Sequence, residues 1–175
     1  MGQQSTAREA EYLEFAVARS GHLYRSACLL TGGDTHLAED LVQEALGRMY
    51  ALWRRSRWST GGQRIENPAA YAHTVLVRAF LTHQRRRSST ERPTVELPDA
   101  PARASDPELR VTLLEALAQL SARDRAVLVL RYWEDRSVEE TAEALRSNSG
   151  AVRTQSSRAL TRLRAVLGDS LVETA

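Results

Sequence analysis

The sequence predicts an all-α chain, built as two small helical domains joined by a flexible linker. Three observations carry this reading. Apolar residues recur at helical spacing along most of the 175 residues, glycine and proline are sparse at 9 and 5, and several of the periodic stretches are bounded by a recognisable cap or breaker. That length suits one domain or two small ones, each with a modest core.

The first helix is expected from about Thr6 to Thr31, stopped by Gly32 and Gly33. A second begins after Asp34 or Thr35, with Leu37, Leu41, Ala45, Met49 and Leu52 forming one stripe. Glu39, Asp40, Gln43, Glu44 and Arg48 cover its other faces, and Glu44 can pair with Arg48 one turn on. Arg54 to Glu66 is basic, glycine-containing and loop-like, and it ends at Asn67-Pro68, an N-cap followed by proline at the first helical position. The third helix, AAYAHTVLVRAFLTHQRRR, closes on Arg85, Arg86 and Arg87, where cations complement the helix C-terminus or contact phosphate. Ser88 to Pro107 holds four of the chain's five prolines and no apolar period, as a linker does. Helical signals resume at Glu108 with Val111, Leu114, Leu117 and Leu120, and Ser121 with Asp124 makes a further cap; Val127, Leu128, Leu130 and Tyr132 supply core.

Ser137 to Arg164 carries the strongest functional signal. Ser137 and Glu140 have the spacing of a capping box, in which each side chain satisfies a backbone N–H of the other. Val138, Ala142 and Leu145 fall on one face of that helix, the chain breaks at Arg146 and Ser147, and Asn148 can cap the next helix. There Val152, Ala159, Leu160, Leu163, Val166 and Leu167 form the inward stripe. Gly150, Arg153, Thr154, Ser157, Arg158 and Thr161 face the other way. Small and hydrogen-bonding residues at a helix N-terminus, followed by arginines, suit base edges and phosphates. No acidic residue interrupts this helix before Asp169. Two amphipathic helices around a polar turn also finish ordinary bundles, so spacing alone leaves both readings open.

Composition removes several classes. All 24 basic residues are arginine, which excludes a P-loop lysine, a Schiff-base lysine and a Ser-Lys pair. The net charge of +2 is too small to argue for nucleic acid by itself. Cys28 is the only cysteine, so no intrachain disulfide forms, and a cysteine-based zinc site is excluded. His22, His36, His73 and His83 lack metal-ligand spacing and read as structural or surface residues; no metal or other cofactor is expected. No nucleophile elbow, phosphate loop or catalytic carboxylate pair is present, so the chain is not read as an enzyme. No apolar run approaches membrane-spanning length, and a cytoplasmic protein without a membrane partner is expected.

The order of AEDLVQEALGRMY, NPAAYAHTVLVRAFLTHQRRR, a Pro-rich linker, and LSARDRAVLVLRYWEDRSVEETAEAL with its basic helix resembles the bacterial RNA polymerase sigma factors of the sigma-70 family. It is most similar to the small extracytoplasmic-function type, which keeps only regions 2 and 4. The resemblance implies region 2 over 1–87, a linker over 88–107 and region 4 over 108–175. It implies that Asp40, Gln43 and Glu44 dock on the clamp helices of the largest polymerase subunit, with region 4 at the flap. Trp58, Arg64, Asn67, Tyr71, Arg78, Arg85, Arg86 and Arg87 would serve minus-10 recognition and melting, and Ser149, Gly150, Arg153, Thr154, Ser157 and Arg158 would read the minus-35 element. The implied partners are core RNA polymerase, promoter DNA and a separate anti-sigma factor. The chain departs from the family pattern at Arg78, where asparagine is common, at Thr82 for aspartate, at Arg146 for the turn glycine and at Ser156 for leucine. A stand-alone helix-turn-helix repressor or activator is the alternative; it would normally need a dimer seam to span two half-sites, and none is evident.

Overall fold

A computed structural model describes residues 2–55, 65–89 and 107–173, and every regular element among them is helical. The linker expected over 88–107 lies almost wholly outside the described residues, as do Trp58 and Arg64. Three helices come first: α1 (Gly2–Thr31), α2 (Thr35–Arg54) and α3 (Pro68–Ser88). α4 (Pro107–Ala118) and α5 (Ala122–Leu128) follow, then a π-helical turn (Val129–Trp133), α6 (Val138–Leu145) and α7 (Ser149–Glu173).

The caps expected at Asn67, Ser121 and Asn148 form, and Asp34 caps α2 as well. Asp34 Oδ1 accepts from the Leu37 amide at 3.0 Å, Asn67 Oδ1 from Ala70 at 3.1 Å, Ser121 Oγ from Asp124 at 3.1 Å and Asn148 Oδ1 from Ala151 at 2.9 Å. Each removes one orphan donor at a helix start, worth about 1 kcal/mol. The Ser137 and Glu140 box closes in both directions, at 3.0 and 2.8 Å. Those bonds from Ser137 hold the Glu140 carboxyl below its usual range.

Helices α1 to α3 pack around Leu23, Leu30, Leu41, Met49, Leu76 and Phe80, and α4 to α7 around Leu117, Val127, Leu130, Leu145, Val152 and Ala159. The sequence presents two modules on a tether; in the structure they lie against each other, and one apolar cluster runs through both. Gly32 permits part of this. At φ +65° it occupies the left-handed region, and a Cβ there would stand 2.6 Å from Ala118 Cβ and 2.9 Å from its Cα. Only glycine lets the end of α1 approach α4 so closely.

The first helix of the closing pair, α6, ends in a Schellman motif. Ser147 N–H bonds the Ala142 carbonyl at 2.8 Å and Arg146 N–H that of Glu143 at 3.1 Å, with Arg146 at φ 52°, ψ 50°. Arginine takes the position that glycine normally fills, at a cost of about 1 kcal/mol. Arg146→Gly is therefore expected to raise stability by about that amount, read as a higher urea midpoint at unchanged slope; a lower midpoint would contradict the strain.

Ser156, which interrupts the apolar stripe of α7, is buried and donates its hydroxyl to the Val152 carbonyl at 2.7 Å. The polar group is satisfied within its own helix. Asp124, buried beneath α7, accepts from Arg162 at 2.6 Å and Gln155 at 3.3 Å, tying α5 to α7.

Candidate nucleic-acid interface

On α7 the side opposite Val152 and Ala159 is open. Gly150, Arg153, Thr154, Ser157, Arg158 and Thr161 are all exposed, and Ser149 is half-buried at the helix start. Burying the apolar stripe against α4, α5 and α6 leaves this face nowhere to point but outward. Arg153 meets one acidic neighbour, Glu139 on α6, at 3.3 Å. Both side chains are well exposed, so the pair contributes little to stability and can yield to another anion.

Asp40, Gln43 and Glu44 project from α2 into solvent, and Glu44 pairs with Arg48 as its spacing predicts. Asp40 and Gln43 make no contact that ties them down among the described residues. Buried Leu41, Val42 and Ala45 seat this helix against α1 and α3, so the polar side chains stand on a rigid base.

The residues expected to serve the minus-10 element divide. Asn67, Tyr71 and Arg78 line one cleft of about 620 Å³ between α3 and the turn-and-α6 segment. Arg85, Arg86 and Arg87 are exposed at the far end of α3. Arg78 is engaged inside the protein: Nε donates to the Ala144 carbonyl at 2.9 Å and a terminal nitrogen to that of Glu143 at 3.1 Å. Both carbonyls stand at the α6 C-terminus, where a cation is favoured, and that of Glu143 also accepts from the Arg146 amide. Two departures from the family pattern, Arg78 and Arg146, thus meet at one helix end.

Arg136 reaches in the opposite direction. Its guanidinium donates to Thr74 Oγ1 at 2.7 Å and to the Ala70 carbonyl on α3. Burial pulls its pKa down, while Glu134, Glu140 and Glu143 act against that. Beside it, His22 Nε2 lies 3.0 Å and His73 Nε2 3.2 Å from Glu134 Oε1. Burial is the main cause of a lowered pKa at His73, with Glu134 opposing it. Sequence reasoning sets these histidines aside for want of metal-ligand spacing, and His22 and Glu134 stand 112 positions apart. Only the packing of the two units brings them together.

A model of Sigma-70 region 2 matches residues 17–90, and one of Sigma-70, region 4 matches 110–163. An RNA polymerase sigma-E factor of Streptomyces coelicolor is 36% identical over 156 residues, covering 88% of this chain and 84% of that protein. The ECF RNA polymerase sigma factor ShbA of Streptomyces griseus is 35% identical over 148 residues, covering 78% and 75%. The structure of the sigma factor RpoE with the anti-sigma factor NepR from Bartonella quintana matches with a TM-score of 0.70, over 90% of this chain and 97% of that one. At 23% identity this last likeness concerns the fold.

Proposed function

Because the chain belongs to the sigma-70 family, as a sigma factor of the extracytoplasmic-function type that directs core RNA polymerase to promoters, we propose how its two helical units share that work. The α1 to α3 unit, residues 1–87, holds core polymerase through Asp40, Gln43 and Glu44 and takes the minus-10 strand along α3. The α4 to α7 unit, residues 108–175, sets α7 in the major groove at the minus-35 element, and residues 88–107 are the linker between the units. Its task is recruitment and strand opening, with no bond made or broken by the protein itself. The place of action is the cytoplasm; no described helix is long and apolar enough to cross a membrane.

The observation that carries the reading is the exposed, acid-free face of α7 from Gly150 to Thr161. Ser149, Gly150, Arg153, Thr154, Ser157 and Arg158 are the base and phosphate contacts. A single bidentate contact supplies only about 1–3 kcal/mol, too little for tight binding by one helix. Polymerase holding both units makes the contacts multivalent and raises their effective concentration. On the minus-10 side, unstacking a base costs a few kcal/mol, offset by Asn67 and Tyr71 in the cleft and by Arg85, Arg86 and Arg87 on the backbone, with Trp58 and Arg64 as further contacts. Arg78 joins them only after leaving α6, so promoter engagement through this face requires the units to part. An anti-sigma factor that holds them together is the regulator this design suits.

Run-off transcription with purified core polymerase over a genomic fragment library tests the assignment. Discrete transcripts sharing one bipartite upstream motif are expected only when the chain is added. Tight binding to duplex promoter DNA without polymerase, and no transcripts, would instead favour a stand-alone repressor or activator. Within the same assay, Asp40→Ala with Gln43→Ala is expected to weaken association with core polymerase about tenfold, about 1.4 kcal/mol for the pair, since most interface residues cost less than about 1 kcal/mol each when truncated. Unchanged retention in a pull-down would remove the docking role from this face.

A further inference from the structure

His22 on α1, His73 on α3 and Glu134 after the π-helical turn bring three metal-capable atoms within 4.8 Å of one another. His73 is only 5% exposed at its side chain and Glu134 10%. The tautomer of His73 follows from its surroundings. Nδ1 lies 2.9 Å from the Ala69 carbonyl, a pure acceptor, so Nδ1 carries the hydrogen. Nε2 is then a bare lone pair, buried without a hydrogen-bond partner, with a carboxylate oxygen 3.2 Å away. Two lone-pair atoms this close in a buried site disfavour each other, and a cation bound by both relieves that.

We propose that His22, His73 and Glu134 form a binding site for one divalent transition-metal ion of the Zn²⁺ type, which fastens the two helical units together. Two imidazoles and a carboxylate are a ligand set such ions favour, whereas Mg²⁺ prefers oxygen alone. Ligands about 2.0–2.1 Å from a tetrahedral ion stand about 3.3 Å apart; the two separations from Glu134 Oε1 are 3.0 and 3.2 Å. The surroundings hold the ligands as metal sites require. The Ala69 carbonyl orients His73, Ser26 Oγ donates to Glu134 Oε1 at 2.6 Å, and the Trp133 indole N–H donates to Ser26 Oγ at 3.0 Å. His22, 38% exposed at its side chain, opens onto the cleft, which gives an ion its entry and a water its place as fourth ligand. The cationic Arg136 nearby spends its donors on Thr74 and Ala70.

An ion here joins α1 and α3 to the segment that leads into α6, and so keeps Arg78 on the α6 carbonyls. That consequence for promoter binding rests on the function proposed above; the metal site does not. Titration of the full chain with Zn²⁺ against a chromophoric chelator, without polymerase or DNA, therefore tests the site by itself. One ion per chain is expected, with affinity lowered about tenfold or more in His22→Gln and in Glu134→Gln, and unchanged in His36→Gln, whose side chain is at the surface. Co²⁺ should give the visible absorption of a low-coordinate site in the parent chain and lose it in both variants. Since His22 lies at the cleft edge, His22→Gln keeps the test sound if Glu134→Gln fails to fold. No Zn²⁺ binding, equal binding in His22→Gln, or loss on His36→Gln would overturn the proposal.

Discussion

Arg153→Ala is expected to lower transcription about 5- to 150-fold from promoters with an intact minus-35 element, the equivalent of about 1–3 kcal/mol for one lost bidentate contact. Templates whose initiation does not draw on the minus-35 element should respond much less, and association with core polymerase should be unchanged. Folding will not confuse the result. Arg153 is exposed, and the pair it makes with Glu139 at 3.3 Å is solvent-facing on both sides, where such pairs are worth about 0–1 kcal/mol. The measurement is run-off transcription on paired templates with and without the element. An equal loss on both would place Arg153 in assembly instead of base reading.

Phe80→Ala should have the largest effect on stability. Phe80 has no exposed surface and stands in α3 with the Arg125 guanidinium of α5 over its ring, 5.3 Å from the centroid. Truncating a buried phenylalanine costs about 3–5 kcal/mol through lost transfer energy and the cavity left behind. The cation–π contact adds to this when both partners are desolvated, and Arg125 is buried enough that its pKa is pulled down. Against a typical domain stability of about 5–15 kcal/mol, the variant should unfold at a far lower urea concentration, whereas Phe80→Leu should lose much less. A loss below about 1 kcal/mol would mean that the ring is not packed between the units in solution. The ring and the guanidinium come from different units, so this one position reports on both cores.

What the sequence disclosed and what it withheld divide along a physical line. Caps at Asn67, Ser121, Ser137 and Asn148 depend on a side chain and an amide three residues on, so they were legible and they form. The outward face of α7 was legible for the same reason: a helix that buries Val152 and Ala159 must turn Arg153 and Ser157 to solvent. The contact between units was not. Gly32 reads as a helix terminator, and its second task, admitting Ala118, depends on where a distant helix lies. Arg78 sits in an apolar helix like any snorkelling arginine; that it caps α6, 66 positions on, has no local signature. His73 looks like core, and it is core; its bare nitrogen becomes visible only when Glu134 is set beside it.

The π-helical turn at Val129–Trp133 has a consequence for register. The Glu134 amide reaches back five residues to the Val129 carbonyl at 2.9 Å, and the Arg136 amide six residues to that of Leu130 at 3.0 Å. One residue more than an α-helix needs is housed there. Were the chain one residue shorter, α-helical winding would carry everything beyond it about 100° around the axis and 1.5 Å along it. Leu130 would keep its place in the core, but Glu134 would swing off both imidazoles and Arg136 off Ala70. The extra residue acts as a phase setting, placing Glu134 and Arg136 on the flank that meets α1 and α3.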